Sequence, residues 1–320
     1  MEVLVVGATG TLGRQIARRA VEEGHRVRCL VRSPKKAAFL QEWGCDLVRG
    51  DLTKPDTLDF ALEGVEAVID AATARPTDSL SSFEVDWHGK VNLIQAVEKA
   101  GVGRYIFCSI LGADKHRDVP LMDIKACTEA FLRESGLNYT ILQLAGFYQG
   151  LIGQYAIPIL EGQTVWVTGE ATPIAYMDTI DVAKFAVRAL TATETEKRSL
   201  PVVGPKAWGG YEIIRLCERL TERDAKIARM PIDTLRLMRR VTRFFQMGWN
   251  VADRLAFTEV LVSGDALDAP MAESYAAFGI DPAEVTPLES YLEEYFTRIL
   301  RKLKELNFDQ KKDKKKKLPF

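Results

Sequence analysis

Val5-Val6-Gly7-Ala8-Thr9-Gly10-Thr11-Leu12-Gly13 is the stretch that decides the fold. A β-branched run, Val3–Val6, reads as a strand, and Leu12–Glu23 reads as the helix that follows. Between them stand three glycines spaced GxxGxxG. Gly7 permits a tight turn, Gly10 lets backbone approach a pyrophosphate, and Gly13 lets helix and strand pack closely. The helix start offers free N–H groups and the positive end of a dipole to phosphates. Thr9, Thr11 and Leu12 complete this candidate phosphate loop. A glycine-rich turn without a ligand is the bland alternative, but the strand–loop–helix context is the one the motif requires.

Working outward, short apolar runs alternate with amphipathic stretches. Strands are expected over 27–31, 46–49, 67–71, 105–109 and 139–144. Helices are expected over 35–43, 56–62, 87–100 and 124–135. Strands alternating with helices imply βαβ units and a parallel, doubly wound sheet of the Rossmann type. Residues 1–150 form the expected dinucleotide-binding domain, completed by a helix over 179–190 and a strand over 200–203, within about 176–204. Residues 151–175 and 205–308 form a smaller docking region. It is mainly helical, over 211–222, 232–246, 253–262, 270–278 and 287–306. Residues 309–320 contain Lys-Lys-Asp-Lys-Lys-Lys-Lys at 311–317 and read as a disordered basic tail.

The chain has 320 residues, 47% hydrophobic and 27% charged, enough to bury a sizeable core and too apolar for a disordered or fibrous protein. Lys+Arg number 43 and Asp+Glu 44, which argues globally against a nucleic-acid coat. That balance hides a split. Residues 298–320 carry a net charge of +7 and the remainder −8. Five cysteines form no CxxC pair, and three histidines lie far apart, so no metal site is expected. No window has 18 consecutive apolar residues, so any membrane contact is expected to be peripheral. The start, which runs from Met1 straight into a strand, reads as a chain without a leader.

The end of the second strand selects the cofactor. Arg32 stands where an NAD site would carry Asp or Glu, and Lys35 and Lys36 follow. A carboxylate repels a 2′-phosphate, whereas an arginine fork grips it. The reading is NADPH/NADP+, with NAD less favoured and a solvated basic loop as the alternative. Asp51 and Leu52, after the third strand, are candidates for the adenine. The alternative is a local turn cap at Asp51. Ala72, after the fourth strand, is small enough to let a cofactor pass.

Taken together, VVGATGTLG, the arginine after strand two and GDLTKPDTL (50–58) resemble the NmrA-like atypical short-chain dehydrogenase/reductases. Four later stretches are similar to the photosystem II assembly-factor branch of cyanobacteria and plastids. These are residues 122–160 (MDIKACTEAFLRESGLNYTILQLAGFYQGLIGQYAIPIL), 171–190 (ATPIAYMDTIDVAKFAVRAL), 241–264 (VTRFFQMGWNVADRLAFTEVLVSG) and 287–306 (PLESYLEEYFTRILRKLKEL). The likeness spans about residues 1–306. It implies an NADP-binding fold, a role in early assembly of the photosystem II reaction centre, and association with small high-light-inducible chlorophyll proteins. It also implies a place on the cytoplasmic or stromal side of the thylakoid membrane.

That resemblance implies a Tyr-x-x-x-Lys pair, in which the phenol moves a proton and the lysine binds the nicotinamide ribose. Lys125 is well placed for the lysine, but four residues earlier stands Leu121, and no Tyr-x-x-x-Lys occurs in the chain. Lys125 is therefore read as a ribose contact first, as a structural residue second, and last as the one catalytic candidate. Lys125 with Glu129 could also be an i,i+4 surface pair. Ser109 could face the nicotinamide, as could Gly146 and Phe147. Most relatives have Arg-Pro where Gln143-Leu144 stand, which is expected to alter the approach of Gly146 and Phe147.

Ile232–Trp249 is basic and amphipathic, a pattern that suits a docked helix, a partner helix or a membrane surface. The lysine-rich end suits anionic lipid or an acidic protein face. No aromatic-interleaved basic patch supports nucleic-acid binding. The resulting expectation is a non-catalytic, NADP(H)-binding assembly factor. The alternative is an NADPH-dependent reductase of a quinone or other hydrophobic substrate, using Lys125 in place of the tyrosine.

Overall fold

The computed structural model describes residues 1–75, 78–167, 172–229 and 263–316, with isolated positions 231, 234, 256 and 260. The helices expected over 232–246 and 253–262, and the basic amphipathic face of 232–249, lie outside the described residues.

Seven strands form one sheet: β1 (Glu2–Val6), β2 (Arg26–Val31), β3 (Asp46–Arg49), β4 (Ala67–Asp70), β5 (Arg104–Ile110), β6 (Tyr139–Leu144) and β10 (Arg198–Val202). Their order is β3-β2-β1-β4-β5-β6-β10, and every ladder is parallel. Val3 of β1 faces Val27 of β2 on one side and Ala67 of β4 on the other. A sheet covered on both faces buries nearly every strand residue, which is why the strands read as continuous apolar runs. Val3 and Val5 point into one core with Ile16, Ala20, Leu40 and Phe185. Leu4 and Val6 point into the other with Leu93, Ile94 and Leu132.

The first core is covered by α1 (Thr11–Glu22), α2 (Ala38–Glu42) and α8 (Thr179–Arg188). The second is covered by α3 (Asp59–Leu62), α4 (Gly89–Lys99) and α5 (Pro120–Glu134). The expected return of 179–190 and 200–203 to the first sheet is what the fold does, through α8 against α1 and β10 against β6. A π-helical turn, Phe83–His88, leads into α4, four residues before the expected helix start.

After β6 the chain builds a second layer. β7 (Gly146–Phe147) pairs with β9 (Tyr176–Met177), and β8 (Thr164–Val167) pairs with β11 (Lys226–Arg229). Neither short ladder was expected, because strands of two to four residues carry no readable alternation. A third core joins α6 (Tyr148–Leu151), α7 (Ile157–Glu161), α9 (Gly210–Thr221) and the start of α11 (Leu288–Lys316). Between them in sequence, α10 (Ala272–Phe278) sets Phe278 edge-on against Phe185, with ring centroids 5.3 Å apart. The expected disordered tail needs correction over 309–316, because α11 continues to Lys316. Its first turns are anchored by buried Leu288, Leu292 and Phe296. Once such a nucleus exists, each further residue adds a hydrogen bond, and lysine is a good helix former.

Candidate cofactor site

The strand order reverses between β1 and β4. Crossovers leave in opposite directions there and open a crevice at the carboxyl ends of the strands. A cavity of about 540 Å³ occupies this place. Gly7, Thr9, Gly10, Thr11 and Leu12 line it from the first loop, and Arg32, Asp51, Leu52 and Ala72 from the ends of β2, β3 and β4. Ser109, Lys125, Gly146 and Phe147 line the opposite end. Two of the expected residues do not line it. Gly13 lies behind the loop, where an added Cβ would sit 2.1 Å from the Gly7 carbonyl oxygen, so its work is packing. Lys36 is exposed on the turn after β2.

The phosphate end is built from backbone. Gly7 has φ +84°, and a Cβ there would meet the Ala72 nitrogen at 2.6 Å. Gly10 caps α1 in extended conformation, and no side chain satisfies the first turn. Those donors, at the positive end of a helix and facing a cavity, fit an anionic phosphate. Arginines hold the loop carbonyls in place. Arg14 donates to Gly10 O at 3.0 Å, and Arg14 and Arg75 donate to Thr9 O at 3.2 and 3.0 Å. Arg32 reaches Asp78 at 3.3 Å. Asp51 accepts from the Thr53 amide at 3.0 Å and hydroxyl at 2.9 Å, so the local-cap reading describes its carboxylate here, although it also lines the cavity.

Behind the other end lies a buried charge network, of which Lys125 lines the cavity. Lys90 is fully buried on α4, paired with Asp70 at the end of β4 and donating to Ala72 O at 2.8 Å. Tyr105 donates to the second Asp70 oxygen at 3.0 Å. Burial and the Asp70 charge push this phenol well above its usual range. Lys125 donates to Cys108 O at 3.1 Å and stands 4.7 Å from the centre of the Phe107 ring. Its Nζ is 3.9 Å from Asp86 Oδ1, an oxygen with no hydrogen-bond partner, while Asp86 Oδ2 accepts from the Ala74 amide at 2.9 Å. Burial lowers the Lys125 pKa, and Asp86 partly offsets it.

The surface-pair alternative for Lys125 and Glu129 fails. Both are buried and turn to different partners, because residues one turn apart on a helix facing the sheet meet different strands. Glu129 accepts from Ser109 at 2.6 Å, from Arg133 at 2.6 Å and from Gln143 at 3.2 Å. Gln143 thus ties β6 to α5, and the Ser109 hydroxyl is already committed. Leu121 lines the cavity, and no tyrosine is among its described lining residues. Sequence reasoning missed Asp70, Asp86, Lys90, Arg75 and Asp78. The one available signal was a charged residue closing or interrupting an apolar run, as in Ala67-Val68-Ile69-Asp70. Among the described residues no cluster suits a metal ion, and no helix is long and apolar enough to cross a membrane.

The pattern of a family described as NAD(P)H-binding matches residues 7–193. The chain is 61% identical over 324 residues to the photosystem II assembly factor Ycf39 of Synechocystis sp., covering 100% of this chain and 99% of the relative. It is 51% identical over 310 residues to the chloroplastic High Chlorophyll Fluorescence Phenotype 244 protein of Arabidopsis thaliana, covering 97% and 78% respectively. In fold it resembles an NADPH-dependent quinone oxidoreductase of Escherichia coli solved with NADPH, at TM-score 0.73 and 23% identity, covering 92% and 99%. The Citrobacter triphenylmethane reductase solved with NADP(H) is similar, at TM-score 0.72 and 17% identity, covering 92% and 99%. With an NAD(P)H-binding domain in place and identity running the whole length, the chain belongs to the NmrA-like short-chain dehydrogenase/reductases, in the branch that holds the photosystem II assembly factors.

Proposed function

We propose that this chain is an NADP(H)-binding assembly factor for the photosystem II reaction centre that works without catalysing a reaction. Gly7, Gly10 and the first turn of α1 would take the pyrophosphate, Arg32 the 2′-phosphate and Lys125 the nicotinamide ribose. Bound cofactor can supply a hydride. Leu121 carries the reading, because an aliphatic side chain lines the cavity one helical turn before Lys125, where a proton donor is needed. Lys125 and Tyr105 do not replace it readily, since one is committed to Cys108 O and the other to Asp70. The protein would act from the cytoplasmic or stromal side of the thylakoid, bound peripherally, together with high-light-inducible chlorophyll proteins. Its basic end (Arg298, Arg301, Lys302 and the lysines beyond) suits an anionic membrane surface.

A second reading, reduction of a quinone or similar hydrophobic substrate, is favoured by one observation. Lys125 is buried with a lowered pKa, as a proton-transferring lysine would be. An NADPH oxidation screen against quinones separates the two, since turnover abolished by Lys125→Ala would establish the reductase. A pull-down from thylakoids that brings no photosystem II or chlorophyll-protein partner would sink the assembly reading. Arg32→Ala should weaken NADP+ binding roughly ten- to a hundredfold and NAD+ much less. Equal loss for both would remove the 2′-phosphate assignment.

A further inference from the structure

Arg32 does not wait alone for a phosphate. Its guanidinium meets Asp78 Oδ1 at 3.3 Å, and both residues line the cofactor cavity. The other Asp78 oxygen accepts from the Arg75 amide at 3.0 Å, and the Asp78 amide donates to Arg75 O at 3.0 Å. The Arg75 guanidinium in turn donates to Thr9 O in the phosphate loop at 3.0 Å. Asp78 is therefore tied to Arg75, which is itself tied to the site. Its side chain is 18% exposed, against 53% for Arg32.

We infer that Asp78 is a stand-in anion at the adenosine end of the cavity, an internal competitor that Arg32 exchanges for a 2′-phosphate. The inference rests on the reading of Arg32 as the 2′-phosphate partner. A carboxylate carries one negative charge, whereas a 2′-phosphate carries nearly two and three acceptor oxygens in a geometry that suits the arginine fork. The exchange keeps Arg32 neutralised throughout. A half-exposed ion pair is worth little, so a dianion can displace it. A ribose 2′-hydroxyl carries no charge with which to break the pair. Asp78 would thus lower the affinity for a 2′-phosphate somewhat and leave the affinity for a 2′-hydroxyl nearly unchanged.

The test compares the purified full chain with Asp78→Asn by calorimetry, using NADP+, NAD+, 2′,5′-ADP and 5′-AMP. Asparagine keeps an acceptor for the Arg75 amide, so that contact survives, and matched thermal melts verify that the fold does. Asp78→Asn should tighten NADP+ and 2′,5′-ADP by about two- to fivefold and leave NAD+ and 5′-AMP within twofold. In an Arg32→Ala background the same substitution should bring less than a twofold gain. Unchanged or weaker NADP+ binding, or equal change for NADP+ and NAD+, would overturn the competition by Asp78 while leaving Arg32 as the phosphate partner. A wild-type chain that binds 2′,5′-ADP no better than 5′-AMP would instead overturn the underlying reading.

Discussion

The two ends of the cofactor cavity are built on opposite principles. The phosphate end is shallow and made of backbone, with glycines at Gly7 and Gly10, a bare helix start and arginines that hold loop carbonyls from outside. The opposite end, proposed for the nicotinamide, is backed by buried side chains, of which Lys125 lines the cavity. Asp70, Asp86, Lys90 and Lys125 are all buried and come from β4, the π-helical turn, α4 and α5. One end depends on what is missing, namely Cβ atoms and a side-chain cap. The other depends on charges that must be present together, because a lone buried charge costs several kcal/mol. A shared site can therefore fail in two distinct ways, by steric filling at one end and by uncompensated charge at the other.

Removing one partner of the buried network should have the largest effect. Lys90→Met leaves the Asp70 carboxylate in apolar surroundings with only Tyr105 and the Ala72 amide to stabilise it. It is expected to cost about 3–5 kcal/mol, read from urea unfolding. The double variant Lys90→Met/Asp70→Asn should recover part of that. An unchanged unfolding midpoint for the single variant would mean that the pair contributes no compensation, and the contrast between the two ends would collapse.

Filling the other end should cost less in stability and more in affinity. Gly13→Ala drives a methyl group to within 2.1 Å of the Gly7 carbonyl unless α1 moves away. A loss of about 1–3 kcal/mol is expected, with weaker binding of every dinucleotide tested, since the pyrophosphate loop shifts as a unit. Wild-type melting together with wild-type affinity would show that the helix–strand contact has slack.

The smallest effect concerns protons. Burial lowers the Lys125 pKa, so this lysine loses its charge at lower pH than an ordinary one. If it holds the cofactor ribose as a cation, affinity should fall as pH rises toward that lowered value, and Lys125→Met should flatten the alkaline limb. The contribution of Lys125 to the stability of the unliganded protein has the opposite slope. Between the lowered folded value and 10.5 the unfolded chain holds this proton and the folded chain does not, so the Lys125 contribution to stability rises with pH across that window, as the difference between wild type and Lys125→Met would show. An alkaline limb that persists in the methionine variant would assign it to another group.

How far the site could be read in advance follows the same division. The phosphate loop was legible because its parts are adjacent and its glycines answer a backbone demand that few other residues meet. Arg32 was legible as well, since the end of β2 is a known position in a doubly wound sheet. Its partner Asp78 was not, because the two are 46 residues apart and no periodicity links them. Ser109 and Glu129 could each be singled out, but their hydrogen bond depends on how α5 lies across β5 and β6. The short ladders β7/β9 and β8/β11 were invisible for the same reason, since each pairs segments far apart in the chain.

By itself the sequence determined the seven-stranded core, the phosphate loop and the absence of a phenol before Lys125, because each is set by residues near one another in the chain. Only the tertiary structure decided that Lys90 and Asp70 neutralise each other beneath the cavity and that Ser109 is committed to Glu129. It also decided that Asp78 meets Arg32. Electrostatic pairing and burial depend on distance in space, and the chain brings these groups together only when helices from three crossovers close on one sheet edge.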